Sequence, residues 1–170
     1  TIDNGVTPSV LTFNVPTWVQ GSASSECNTK DTKINYTTYV CNVTGGGLAG
    51  ESRLVKQGDG VLNLPNAEFT HSGNTDIWAG TLNFDGSMLN SDLWLNRFAE
   101  LNSTGSFKSI KADYASVIRP GGENSKGSIT TGSLNLGFGS RIIIDLYASD
   151  MSADQINTGD LSIESKSGVW

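Results

Sequence analysis

The sequence predicts an all-β fold wound as a solenoid, a parallel β-helix, and three observations carry the prediction. No helical pattern sustains itself along the chain. Short segments with apolar residues two apart recur from Leu54 to Ile163, separated by turn formers such as Gly58-Asp59-Gly60, His71-Ser72-Gly73-Asn74 and Pro120-Gly121-Gly122. Leu62-Asn63-Leu64 returns twenty residues on as Leu82-Asn83-Phe84, and again as Leu134-Asn135-Leu136 and Leu161-Ser162-Ile163. A period near 20 is the size of one solenoid coil. A strand with one apolar face cannot bury that face alone, whereas stacked copies form a continuous core.

In chain order the strands fall at Leu54-Val55, Val61–Leu64, Thr81–Phe84, Phe107–Ile110, Ser116–Ile118, Ser133–Leu136, Arg141–Leu146 and Leu161–Ile163. Asn90–Leu101 is the best helix candidate, with Leu93, Leu95, Phe98 and Leu101, but its length is marginal and we read it as a short turn or strand. A leucine-rich repeat needs a Leu-x-x-Leu-x-Leu unit followed by Asn or Cys, which is absent. An antiparallel sandwich, with short strands and closely spaced turns, is the structural rival.

Composition bounds the function. The 170 residues carry a net charge of −6, with 36% hydrophobic and 16% charged residues. A nucleic-acid-binding surface needs clustered Lys and Arg, so no nucleic-acid partner is expected. The longest apolar run, Ile142-Ile143-Ile144, is far short of a membrane-spanning helix, and no membrane insertion within this stretch is expected. The chain opens on Thr1 without an initiator Met, which reads as a mature or trimmed fragment with neighbouring domains in a parent chain.

Candidate chemistry is sparse. Cys27 and Cys41 are the only cysteines. Paired, they close a loop of about 15 residues, worth roughly 3 kcal/mol on the chain-entropy model, and they imply an oxidising compartment. His71, the only His, sits in a turn sequence and is expected as a solvated loop residue. Asp145, Asp150, Asp154 and Asp160 cluster in sequence, but the spacing of a calcium loop is missing, so structural roles at turns are expected over calcium binding or catalysis. No cofactor and no metal are expected. The better lead is aromatic. Trp78 alternates with Ile77, and Trp94 with Leu93 and Leu95, so each pattern points one residue type outward. A sugar ring presents C–H faces that pack on such rings, which makes Trp78 and Trp94 candidate glycan contacts.

Two stretches resemble a known family. Leu54-Val55-Lys56-Gln57-Gly58-Asp59-Gly60-Val61-Leu62-Asn63-Leu64, running on to Gly73, Thr75 and Gly80-Thr81-Leu82, resembles the autotransporter-associated β-strand repeat. That pattern opens Leu-x-Lys-x-Gly-x-Gly-x-Leu-x-Leu, continues Gly-x-Thr and closes Gly-Thr-Leu; Phe69 is offset from the family's aromatic position. Ala115–Ile163, with its Pro-Gly-Gly turn, Gly132-Ser133-Leu134 rung and Asp154-Gln155 step, is similar to late passenger rungs of the same broad family. The resemblance implies a right-handed parallel β-helix on, or secreted past, the outer surface of a Gram-negative bacterium. It implies a division into residues 1–50, an atypical N-terminal cap or lead-in, and residues 51–170, the repeat region. The expected function is non-catalytic: a structural or adhesive stalk or spacer. The alternatives are a glycan-binding module and, behind it, a fragment of a polysaccharide-degrading enzyme. Expected partners are a polysaccharide or a host or cell-surface ligand.

Overall fold

The computed structural model describes residues 9–14, 29–34, 36–43 and 47–164. The strands are β1 (Val10–Asn14), β2 (Thr29–Ile34), β3 (Tyr36–Asn42), β4 (Arg53–Gln57), β5 (Val61–Glu68), β6 (Thr75–Ile77), β7 (Thr81–Leu95) and β8 (Glu100–Ser103). They continue as β9 (Ser106–Ala112), β10 (Val117–Pro120), β11 (Ser128–Leu136), β12 (Arg141–Ile142), β13 (Leu146–Tyr147), β14 (Ser152–Ala153) and β15 (Gln155–Ile163). No helix occurs among the described residues, and hence none long and apolar enough to cross a membrane.

The pairing is that of a parallel β-solenoid of about five turns. Three parallel ladders run along it. The first joins β3, β5, the start of β7, β8, β10 and β12, and stacks Cys41, Leu62, Leu82, Leu101, Ile118 and Ile142 in one column. The second joins the end of β5 and the middle of β7 to the first halves of β9, β11 and β15. The third joins β1, β4, β6, the end of β7 and the second halves of β9, β11 and β15. Strand β7 enters all three ladders; its register with β5 shifts between Pro65 and Ala67, and its register with β9 between Met88 and Asp92. Among the described residues antiparallel pairing is confined to β2 with β3 and β13 with β14, and the coil is parallel, not an antiparallel sandwich.

The interior is made of stacked columns. In the third ladder Leu54, Thr75, Leu93, Ile110 and Leu134 form one buried column. Phe69, Phe84 and Phe107 close the space between the first and second ladders, their ring centroids 5.8 and 5.3 Å apart. Full burial of each such side chain contributes about 1.5–3 kcal/mol. One inward position repeated every rung therefore holds the coil closed and in register. Coils pack closely at the turns. A Cβ added to Gly80, whose φ is 67°, would lie 2.4 Å from the Gly60 carbonyl oxygen, so that position tolerates glycine alone.

Outside the first ladder's apolar column runs an asparagine ladder. Asn63 Nδ2 donates to Asn42 Oδ1, Asn83 to Asn63 and Asn102 to Asn83, at 2.6, 2.6 and 2.9 Å, with steps of 21, 20 and 19 residues. The Leu-Asn-Leu periodicity is this ladder, with one refinement. Leu62–Leu64 and Leu82–Phe84 stack on each other and on Leu101–Ser103, whereas Leu134–Leu136 and Leu161–Ile163 stack on each other in the third ladder. Asn90–Leu101 contains the end of β7 and the start of β8, not a helix.

Candidate functional site

Both candidate tryptophans stand outward on the third ladder. Leu93 and Leu95 are buried and Trp94 between them is 42% exposed; Ile77 is buried and Trp78 after it is 52% exposed. In the ladder Trp94 lies beside Asp76 of the preceding rung and Lys111 of the following one. Trp78 comes two residues after Asp76 and donates its backbone N–H to the Lys56 carbonyl oxygen, as Asn96 does to Ile77 one rung on. Trp78 and Trp94 are therefore diagonal neighbours, one rung and two residues apart, with Asp76 and Asn96 on the other diagonal. Lys111 Nζ sits 5.4 Å from the centre of the Trp94 ring, and Arg53 Nε pairs with Asp76 Oδ2 at 2.7 Å.

Sequence reasoning missed the rest of this surface. Phe98, Tyr114 and Phe138 occupy successive rungs at the turn that leaves the third ladder. Phe98 meets Tyr114 edge-on with centroids 6.0 Å apart, Tyr114 stacks on Phe138 at 5.6 Å, and the Arg97 guanidinium lies 4.9 Å from the Tyr114 ring centre. Each aromatic follows the last inward residue of its strand, Leu95, Ala112 or Leu136, by two or three positions. That spacing was the available signal.

His71 is a correction. It is fully buried, not a solvated loop residue, because the turn holding it folds against the rung before it: the His71 N–H donates to the Leu48 carbonyl oxygen. Its Nε2 lies 2.9 Å from Thr75 Oγ1, Thr75 Oγ1 lies 3.0 Å from Ser91 Oγ, and Ser91 Oγ donates to the Gly73 carbonyl oxygen at 2.7 Å. The carbonyl can only accept, so each hydroxyl passes its proton toward it and Nε2 carries the hydrogen at the head of the chain. Nδ1 is left bare and buried with no partner. Burial pushes the imidazole pKa down from 6.5 to about 4. A neutral, enclosed imidazole with both hydroxyls engaged has the geometry of a structural network.

Lys56 explains its own place in the repeat pattern. Its side chain enters the interior column that continues as Ile77, Leu95 and Ala112, and its Nζ donates to the carbonyl oxygens of Gly58 and Ala79 at 2.6 and 2.7 Å. The ammonium thus ties the turn of its own rung to that of the next. Desolvation lowers its pKa from 10.5 to about 8, against the pull of Asp59.

The four aspartates do not converge. Asp154 accepts the backbone N–H groups of Gly127 and Asp145, pinning the β13–β14 excursion to the coil, while Asp150 accepts from Lys126 and from Ser152. No group of three or more His, Cys, Asp or Glu poised to hold a metal ion occurs among the described residues. Cys41 is buried beneath Leu62; Cys27 lies outside the described residues.

Residues 54–84 match the family model of the passenger-associated-transport-repeat. The match covers the first of the two resembling stretches, Lys56 and its glycine turns included. Comparison with curated proteins and with solved structures gives no match.

Proposed function

We propose that this chain is a segment of a passenger exported to the surface of a Gram-negative bacterium, where it serves as a non-catalytic β-helical stalk or spacer that sets other parts of the protein at a distance. The repeat over residues 54–84 supports export as a passenger. The observation that carries the stalk role is the unbroken register of the third ladder, from Leu11 through Leu54, Thr75, Leu93, Ile110 and Leu134 to Leu161. Parallel strands lie about 4.8 Å apart, so about five turns extend roughly 25 Å along one axis. Every rung hydrogen-bonds to its neighbours, and such a coil resists bending. A stalk of this kind works mechanically, with no reacting group.

The test is a display experiment. The segment is placed between an epitope tag and an outer-membrane β-barrel translocator, and surface tag is measured by antibody on intact cells. Surface display of the tag, lost when Ile77→Asp breaks the interior column, is the expected result. Equal display with and without the folded segment would overturn the reading.

A further inference from the structure

We propose that the outward face of the third ladder, from Trp78 and Trp94 to the turn carrying Phe98 and Tyr114, binds an acidic polysaccharide.

The first observation is a strained aromatic. The turns after β7, β9 and β11 are alike: the N–H groups of Ala99, Ser116 and Ser140 each donate to a carbonyl three residues back, on Asn96, Asp113 and Gly137. The residue before each of those donors has positive φ: Phe98 at 60°, Ala115 at 56° and Gly139 at 71°. Glycine suits that conformation, any residue with a Cβ is strained in it, and a bulky aromatic there is an outlier. Phe98 is also 69% exposed, so burial does not offset the strain. Strained residues with no folding benefit concentrate where a surface is used.

The second observation is the checkerboard. Trp78 is half exposed, and Trp94 follows one rung on. Half-buried Asn96 stands beside Trp78 in the next rung and offers its amide oxygen there, while Asp76 is buried and held by Arg53. Flat apolar faces interleaved with polar groups suit a pyranose, whose C–H faces are apolar and whose rim is hydroxyl. Trp78 and Trp94 are offset by one rung, about 4.8 Å, and by two residues, about 6.6 Å along the strand, so a linear chain that meets both indoles runs obliquely across the ladder.

Charge selects among glycans. The chain is acidic overall, at −6. On this face, however, Lys111 and Arg97 lie over Trp94 and Tyr114 and neither forms an ion pair with a carboxylate among the described residues. Two cations free to meet a ligand, set against exposed rings, fit a polymer carrying carboxylate or sulfate groups.

Affinity electrophoresis of the purified chain in gels containing polygalacturonate, alginate, hyaluronan or heparin tests this, with methyl-esterified polygalacturonate as the uncharged counterpart. We expect retardation by at least one acidic polymer, reduced by salt. Trp78→Ala should weaken it about tenfold, and Lys111→Gln should weaken it with the fold intact. Phe98→Gly separates binding from stability: retardation should fall while the melting temperature stays level or rises. No retardation by any of the four acidic polymers overturns the proposal. So does equal retardation by the esterified polymer, or binding that survives Trp78→Ala. The display experiment is untouched by these variants, so the stalk reading and the polysaccharide surface fail separately.

Discussion

Lys56 Nζ donates to the carbonyl oxygen of Ala79, 23 residues on, at 2.7 Å, across the boundary between two coils. The same nitrogen holds the Gly58 carbonyl oxygen within its own coil. An ammonium is rarely buried unless such partners meet it. Lys56→Met keeps most of the apolar stem but leaves two turn carbonyls without their donor, at a cost of about 1–3 kcal/mol for each group left unsatisfied. We expect Lys56→Met to lower stability by about 2–6 kcal/mol, read as a lower denaturant midpoint with an unchanged slope. A midpoint equal to that of the parent would mean that the latch contributes nothing net. The lowered pKa of about 8 adds a pH signature. Between about 8 and 10.5 the unfolded chain holds a proton that the folded chain has released, so stability should rise with pH across that window and be flat there in Lys56→Met.

His71 gives the acid counterpart. Its folded pKa of about 4 lies below the ordinary 6.5, because a protonated ring would bury a charge and an Nδ1–H with no acceptor. Between those values the unfolded state binds the extra proton. The contribution is therefore fully present above about 6.5 and is lost as pH falls toward about 4, by up to about 3 kcal/mol. Guanidinium melts at intervals from pH 4 to 7 check this. In His71→Gln, whose amide still reaches for Thr75, that part of the acid slope should vanish. An unchanged slope would place the sensitivity in the carboxylates.

These two residues mark what could be read in the sequence and what could not. Alternation placed Trp94 outward between Leu93 and Leu95 because a strand has a fixed period of two, which survives without knowledge of neighbours. The burial of His71 was illegible because it depends on the coil before it: Ser72, Gly73 and Asn74 are turn formers, yet the turn they make packs against Leu48 and Gly50. Phe98 was illegible for a related reason. Its positive φ belongs to a turn geometry shared with Ala115 and Gly139, three residue types alike only in standing three positions after Leu95, Ala112 and Leu136, a spacing that has meaning only once those strands are aligned. Leu62 and Leu134 look alike as repeats, but which ladder each joins is set by coil lengths that change along the chain.

The cysteines make a prediction that rests on the sequence spacing and the burial of one partner. Cys41 lies in the interior column beneath Leu62. If it is bonded to Cys27, thiol titration in denaturant should find no free thiol, and reduction should cost roughly 3 kcal/mol. Single variants distinguish a cross-link from packing. A cross-link makes Cys27→Ser, as well as Cys41→Ala, damaging to the oxidised protein. Packing alone would make only Cys41→Ala costly, and two free thiols would dismiss the bond.

Leu134 and Leu161 test the register itself. They are cross-strand partners in one interior column, identical in type and 27 residues apart. Leu134 is sandwiched between Ile110 and Leu161 and is buried, whereas Leu161 is 57% exposed. Leu134→Asp places a carboxylate where no donor waits, and the cost of burying it exceeds about 4 kcal/mol; we expect that variant to unfold. Leu161→Asp leaves its carboxylate in water and should lose less than about 1 kcal/mol. The comparison is read from paired thermal melts followed by far-ultraviolet circular dichroism. Equal losses would mean that both leucines are enclosed, and tolerance of Leu134→Asp would move the whole third ladder by one residue, turning Asn135 inward.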